Sequence, residues 1–211
     1  MFYLVKTPWL IKKLFPVGIW DIPAAANTIY LTFDDGPHPQ ITPFVLEELR
    51  KYNAKATFFC IGNNVEKYKD TYEAILQQDH AVGNHTQDHL NGWNTSDDVY
   101  IKNIRQAQQH IQSNLFRPPY GRIKRRQAAL LRKLFPEMKI IMWNVVSADF
   151  DTNINSEKCT RNVLKHTKAG SMLVFHDSEK AFPRLLKTLP VVIKDLSERG
   201  FVFEKIPENL S

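Results

Sequence analysis

Short apolar runs alternate with amphipathic segments along most of the 211-residue chain. Residues 56–61, for example, have the length and composition of a buried strand, and a segment with helical periodicity follows them. Further strands are predicted at residues 29–31, 80–83, 115–116, 139–143, 171–175 and 201–203. Strands that alternate with helices predict a parallel sheet joined by right-handed crossovers.

The helices between these strands are predicted from their end signals as well as from their periodicity. Thr42 and Pro43 suit the N-cap and the first position of a helix that runs to about Tyr52. Gly200 ends a long helix before the last strand. The other helices are predicted at residues 64–78, 96–113, 124–135 and 156–167. The chain therefore predicts an α/β fold, a distorted (β/α) barrel of about seven parallel strands in a single domain, 1–211.

Residues 1–27 precede the first strand of this barrel and are predicted to form an N-terminal arm. The arm mixes apolar residues with lysines, and prolines interrupt it. It lacks the continuous apolar region and cleavage site of a secretion signal, and no run reaches the roughly 18 apolar residues of a membrane span. We expect an arm packed on the domain, with weak contact to a membrane surface as the alternative. The expected location is cytoplasmic, with peripheral membrane association or export by another route left open.

Composition fits an ordinary soluble protein, with 43% hydrophobic and 24% charged residues and a mild net charge of +6. The densest basic cluster consists of Arg122, Lys124, Arg125 and Arg126, on a predicted helix. A solvated helix face explains this cluster better than a nucleic-acid patch does, so no nucleic-acid partner is expected.

Polar side chains that could take part in catalysis or metal binding recur at or just after the ends of the predicted strands. They are Asp34, Asp35, His85, His89, Arg117, Asp149 and His176. In a parallel barrel the carboxyl ends of the strands lie on one face, where active sites are built. The pattern therefore predicts that these residues meet at a single site.

A metal centre is the chemistry that three of these residues favour. His85 and His89 are four residues apart, a spacing that places two imidazoles on one side of a helix or tight turn. Two histidines with one carboxylate form a recurring metal site that keeps positions open for water and substrate. Asp34 and Asp35 point in opposite directions on an extended chain, so one can bind a cation while the other moves protons. Which does which stays open at this point.

A histidine at the end of a buried strand is the candidate proton donor. His176 follows such a strand and can protonate a leaving group. Arg117 and Asp149 are suited to orient and tune the acid and the base by pairing with them.

Five segments, in order, resemble the polysaccharide deacetylase family, also called NodB-like or carbohydrate esterase family 4. The segments are residues 32–37, 85–89, 117–121, 143–150 and 174–177. The resemblance implies a metal-dependent hydrolase that removes N-acetyl groups from a peptidoglycan-like or chitin-like amino-sugar polymer or oligomer and releases acetate. The implied partner is thus an N-acetylated carbohydrate.

The resemblance also implies a role for each site residue. Asp35, His85 and His89 would hold a divalent metal, most commonly zinc, with cobalt, nickel or manganese as alternatives. Asp34 would be the general base and His176 the general acid.

Five further residues have supporting roles by the same resemblance. Arg117 would orient Asp34, and Asp149 would support His176. The backbone N–H of Tyr120 would help to hold the oxyanion. Trp143 and Val174 would line the pocket for the acetyl methyl group.

The chain departs from the family pattern at two positions of the fourth segment. Val146 stands where the family often has aspartate, and Phe150 stands where it often has tryptophan. Two alternatives stay open, a metal-dependent amidase or esterase for a small non-sugar substrate, for which Val146 and Phe150 leave room, and a non-catalytic carbohydrate-binding member. The complete set of acid, base and metal ligands argues against the second.

Overall fold

All ladders between the named strands of the sheet are parallel in the computed structural model, which describes residues 3–23 and 27–210. The strands in these residues are β1 (Gly18–Ile19), β2 (Thr28–Asp34), β3 (Ala56–Cys60), β4 (Ala81–Asn84), β5 (Leu115–Phe116), β6 (Lys139–Ile141), β7 (Val145–Val146), β8 (Met172–His176) and β9 (Val202–Phe203). Their order is β1-β6-β5-β4-β3-β2-β8-β7, and β9 pairs with the beginning of β2. The predicted α/β distorted barrel is confirmed, as a curled sheet with helices around it.

The helices that cover the sheet follow the strands in alternation. They are α1 (Trp9–Leu14), α2 (Ile41–Arg50), α3 (Gly62–Lys67), α4 (Lys69–Gln77), α5 (Asp97–Ala107), α6 (Arg125–Leu134), α7 (Ser156–His166) and α8 (Phe182–Glu198). The structure contains no helix among its described residues that is both long and apolar enough to cross a bilayer.

The centre of the sheet is buried on both faces, as parallel sheets are. All five residues of β3 are buried, and so are six of the seven in β2. Phe33 on β2 stacks on Phe58 at 5.1 Å and on Phe175 at 5.9 Å between ring centroids. This packing holds β2 between β3 and β8. It thereby fixes the position of Asp34, the last residue of β2, at the carboxyl edge of the sheet.

The N-terminal arm bridges the two ends of the curled sheet. β1 pairs with β6 at one end, whereas Lys6 bridges Val145 of β7 at the other. Thr7 N donates a hydrogen bond to Asn144 O at 3.0 Å beside that bridge. β6, the neighbour of β1, ends at Ile141, only four residues before β7, so the end of β6 and the start of β7 lie within about 14 Å of each other. Of the predicted arm, residues 1, 2 and 24–26 lie outside the described residues.

Several predicted boundaries were wrong. The helix predicted at 64–78 is two helices, because Tyr68 leaves the helical conformation with φ −124° and ψ 54°. α3 is held to the loop after β4 by the bond from Gly62 N to Thr86 O, while α4 packs on the core through Ile75. The helix predicted to reach residue 113 ends at Ala107. The strand predicted at 139–143 ends two residues earlier, and the two-residue strands β1 and β7 were not predicted.

Candidate active site

The three predicted metal ligands converge at the carboxyl edge of the sheet. Asp35 follows β2, and His85 and His89 follow β4. Asp35 Oδ1 lies 3.7 Å from His85 Nε2 and 3.1 Å from His89 Nε2, and one ligand atom from each residue falls within 4.8 Å of the others. Asp35 Oδ1 is buried and receives no well-aligned hydrogen bond from a described residue. A carboxylate oxygen left without a donor between two imidazole nitrogens fits a divalent cation.

Neighbouring groups hold these ligands in the form that a metal requires. His85 Nδ1 lies 2.8 Å from the carbonyl oxygen of Arg117, which fixes Nδ1 as the donor and leaves the Nε2 lone pair facing Asp35. Burial lowers the pKa of His85 from 6.5 to about 4, so the ring is neutral near pH 7. Burial would raise the pKa of Asp35, but the close approach of His89 and the charges of His176, His89 and His85 lower it well below its usual range. Asn64 Nδ2 also donates to the Asp35 carbonyl at 2.8 Å.

Asp34 pairs with a buried arginine. Arg117 Nη1 lies 2.7 Å from Asp34 Oδ1 and donates to Thr32 Oγ1 at the same distance. Arg117 Nη2 donates to the carbonyl oxygen of Met142 at 3.0 Å, and its guanidinium carbon lies 4.0 Å from the Phe59 ring centroid. The guanidinium is completely buried, so these contacts hold it, and through it the Asp34 carboxylate, in one position.

The second proton-transfer candidate is an imidazole that a buried carboxylate holds in place. Asp149 Oδ1 lies 2.8 Å from His176 Nδ1, and Asp149 Oδ2 accepts a hydrogen bond from the His176 backbone N–H at 2.8 Å. Burial lowers the pKa of His176, but the charge and hydrogen bond of Asp149, together with the aspartates at the end of β2, outweigh burial and raise it from 6.5 to about 9. The imidazole is therefore protonated near pH 7 and can donate a proton.

An apolar wall lies beside His176. Val174, Val146 and Ala148 form a buried cluster, and Trp143 and Phe150 pack against it. The edge-to-face contact of Phe150 with the His176 ring has a centroid separation of 5.1 Å. Both departures from the family pattern, Val146 and Phe150, therefore belong to this wall.

Tyr120 lies beside the metal ligand candidate His89. Its ring centroid is 4.6 Å from that of His89, and its backbone φ is +60°. The following residue, Gly121, packs on Trp143, and a Cβ there would lie 2.7 Å from the indole. All ten predicted site residues thus lie at one edge of the sheet and are linked by direct contacts.

Left-handed backbone is concentrated at this edge. Non-glycine residues with positive φ include Asp35 (82°), Thr86 (66°), His89 (54°), Tyr120 (60°) and Ala148 (66°). Such conformations are costly and persist where surrounding contacts impose them, typically at functional sites. Two of the five are predicted metal ligands.

Asp177 is a site residue to which sequence reasoning gave no role. It is completely enclosed, and its Oδ1 accepts from Gly36 N at 3.0 Å while its Oδ2 accepts from Thr42 Oγ1 at 2.5 Å. Burial raises the pKa of its carboxyl from 3.8 to about 7. Asp177 therefore fixes the turn that carries Asp35. Its position at a strand end, next to His176, is the same signal that identified the other site residues.

The carboxyl edge of a curled parallel sheet thus joins a candidate metal centre to an arginine-bound aspartate and an aspartate-bound histidine. This arrangement is typical of hydrolases. Residues 21–135, more than half of the chain, match the family described as "Polysaccharide deacetylase". The chain belongs to the polysaccharide deacetylase family.

Individual relatives agree with this assignment. A peptidoglycan-N-acetylglucosamine deacetylase of Bacillus cereus is 31% identical over 94% of this chain and 96% of its own length. A chitooligosaccharide deacetylase of Azorhizobium caulinodans is 31% identical over 86% of this chain and 93% of its own. The crystal structure of a peptidoglycan N-acetylglucosamine deacetylase superposes with a TM-score of 0.86, at 28% identity and 95% coverage of both chains.

Proposed function

We propose that this chain hydrolyses the N-acetyl groups of an amino-sugar polymer or oligomer and releases acetate, with a divalent metal held by Asp35, His85 and His89. The observation that carries the proposal is the meeting of this metal-ligand set with two separate proton-transfer pairs, Asp34–Arg117 and His176–Asp149, at one edge of the sheet. The names of the relatives, which act on peptidoglycan and on chito-oligosaccharides, support the substrate class.

Zinc is the metal that best suits two imidazoles and one carboxylate, and cobalt, nickel or manganese could substitute for it. When bound, such an ion supplies a Lewis acid that activates water and polarises a carbonyl group near neutral pH.

Separate residues of the chain carry out the two proton transfers. Asp34, held by Arg117, accepts a proton from the water that attacks the acetamide carbonyl. The backbone N–H of Tyr120 donates a hydrogen bond to the carbonyl oxygen as negative charge develops on it. His176 donates its proton to the nitrogen as the C–N bond breaks, because an amine leaves poorly without one. The products are acetate and a free amino sugar.

The apolar wall holds the acetyl group during these steps. Val174 is buried, and Trp143 packs against the cluster that contains it, so the two side chains offer a small apolar pocket to a methyl group. Asp149 keeps the His176 ring oriented through both of its oxygens.

Mass spectrometry of glycans incubated with metal-loaded protein tests the proposal. We expect loss of acetyl groups from chito-oligosaccharides or peptidoglycan and no loss after metal is removed by a chelator. Aryl acetates and small acetamides in the same panel represent the alternative substrate class. The proposal would be overturned if the small compounds were hydrolysed and the glycans were not. Full activity in metal-free protein would also overturn it.

A further inference from the structure

Two loops lie together at the rim of the site, one after β4 and one after β5. Gly92 N donates to Arg122 O at 3.1 Å, and Gln127 Nε2 donates to Gly92 O at 2.9 Å. A Cβ on Gly92 would lie 2.4 Å from Arg122 O, so only glycine allows this close approach. Lys124 Nζ adds a bond of 2.7 Å to Thr95 O. The rim is therefore a fixed part of the fold.

This rim presents a large aromatic side chain to solvent. Trp93 is 59% exposed although its backbone N–H is bonded to Asn91 Oδ1 at 3.0 Å. The guanidinium of Arg122 lies over the indole, 5.1 Å from the ring centroid. An exposed tryptophan on a rigid loop beside a site is typical of a surface that contacts a ligand.

The rim is continuous with the candidate active site. Tyr120, itself 49% exposed, places its ring against the predicted metal ligand His89. Arg122 is two residues further along, at most about 7 Å of chain. A polymer that extends from the site past Tyr120 therefore reaches Trp93 and Arg122.

The charge of the rim complements an anion. Arg122 has no carboxylate partner within the described part of the chain, whereas Arg126 pairs with Asp97 at 3.2 Å. Arg125 and Arg126 occupy the first turn of α6, which contains no acidic residue. Positive charges in the first turn of a helix interact unfavourably with its macrodipole, so Arg125 and Arg126 do not stabilise α6 through the dipole.

We infer that Trp93 and Arg122 form a binding subsite for a glycan that carries carboxylates beside its sugar rings. The indole stacks on the apolar C–H face of a pyranose, and the guanidinium binds the carboxylate. The inference rests on the proposed function and narrows its substrate class. It favours an acidic amino-sugar polymer, such as peptidoglycan with its peptide carboxylates or, where the peptide is absent, its lactyl carboxylates, over neutral chitin.

Kinetics on two polymers of equal length test the subsite. Metal-loaded wild type, Trp93→Ala and Arg122→Gln are compared on a chito-oligosaccharide and on a peptidoglycan strand. We expect Trp93→Ala to raise KM about tenfold on both polymers, with little change in kcat. Arg122→Gln should raise KM about fivefold on the peptidoglycan strand only. The control variants Trp9→Ala, at an exposed tryptophan on α1, and Arg132→Gln, at an exposed arginine in the last turn of α6, should behave as wild type.

Three results decide the outcome. Unchanged KM in Trp93→Ala on both polymers would overturn the subsite. Equal effects of Arg122→Gln on neutral and acidic polymers would overturn its role in carboxylate binding. If the wild type releases no acetate, the proposed function fails, but calorimetric binding of the same two polymers still tests the subsite. In that case a Kd that is the same for wild type and Trp93→Ala overturns it.

Discussion

Asp34 and Asp35 are chemically identical neighbours, and the backbone alone gives them different surroundings. Asp34 is the last residue of β2, in register with His176, whereas Asp35 has a φ of 82°. One carboxylate therefore turns to Arg117 and the other turns to the two imidazoles. The sequence predicts that the pair diverges. The direction of each depends on the left-handed residue that follows the strand, which no sequence pattern in this stretch indicates.

The two roles make opposite predictions for metal content. Asp34→Asn should keep the metal and lose activity by about 10²–10⁴-fold, since a general base contributes that much. Loss of a group that only hydrogen-bonds a metal ligand lowers metal affinity roughly 10–100-fold. Asp35→Asn removes a ligand itself, so its metal affinity should fall by more than this, and excess metal should restore part of its turnover. Elemental analysis beside acetate release measures both. If Asp34→Asn were the variant that lost its metal, the assignments would be reversed.

The pKa of His176 predicts the alkaline limb of the pH–rate profile. Because the folded-state pKa is raised from 6.5 to about 9, the protonated acid, and its contribution to stability, is fully present below pH 6.5 and is lost as the pH rises through about 9. In Asp149→Asn the main group that raises this pKa is removed and burial remains. Its alkaline limb should therefore move to lower pH.

Activity measured from pH 5 to pH 10 checks this prediction. Asp151→Asn is the matched control, because it removes a carboxylate two residues away that bonds Tyr3 rather than His176. An alkaline limb that stays in place in Asp149→Asn would mean that another group controls it.

At the scale of elements, the end of β2 is held by the end of β8. Asp177 N donates to Asp34 O at 3.1 Å, and the Asp177 carboxylate accepts from Gly36 N. A Cβ on Gly36 would lie 2.1 Å from Asp177 Oδ2. The turn that carries the metal ligand Asp35 is therefore packed against a neighbouring strand.

Gly36→Ala should disturb both stability and metal binding. The added methyl group forces Asp177 or the turn to move, at a cost of about 1–3 kcal/mol, and displaces Asp35. Gly200→Ala is the comparison, since its methyl group meets nothing within 4 Å and only its φ of +81° is unfavourable. Thermal unfolding and metal titration of both variants separate the effects. Unchanged metal affinity in Gly36→Ala would show that the turn tolerates the methyl group.

The elements predicted from sequence are those whose signal is local. β2, β3 and β8 are continuous apolar runs, and α8 shows a clear helical period, so each was found. The two-residue strands β1 and β7 carry no such signal, because they exist only through pairing with distant segments. α3 ends at Tyr68 for a similar reason. The contact of Gly62 with the loop after β4 fixes α3, the packing of Ile75 on the core fixes α4, and these tertiary contacts outweigh the helical periodicity of the segment.

For the whole molecule, the convergence of the seven polar residues was predictable because barrel topology brings strand ends together whatever their order. The order of the strands was not predictable in this way. β6 and β7 are successive in sequence, yet β7 lies at one end of the sheet and β6 lies next to β1 at the other, and the arm that joins these ends carries none of the five family segments. The assignment of individual roles came from the family resemblance rather than from spacing.

The arm should contribute measurably to the stability of the whole fold. Thr7→Pro removes the N–H that bonds Asn144 O, which should lower the free energy of unfolding by about 1–3 kcal/mol. For a chain of this size the midpoint falls by about 2–4 °C for each kcal/mol. Thr7→Val, which loses only the hydroxyl bond to Trp143 O, should cost less. Equal midpoints for wild type and Thr7→Pro in calorimetry would mean that the arm is only loosely attached.

The bridge made by the arm also sets an order of events during folding. Thr7 and its partner Trp143 are 136 residues apart in sequence, so the arm leaves the ribosome long before the strand it binds. Contacts of such long range form slowly, because the intervening loop must close first. The apolar side chains of the arm therefore stay exposed to solvent until β6 and β7 have formed. The arm is synthesised before β6 and β7, yet it is among the last segments to reach its final position in the fold.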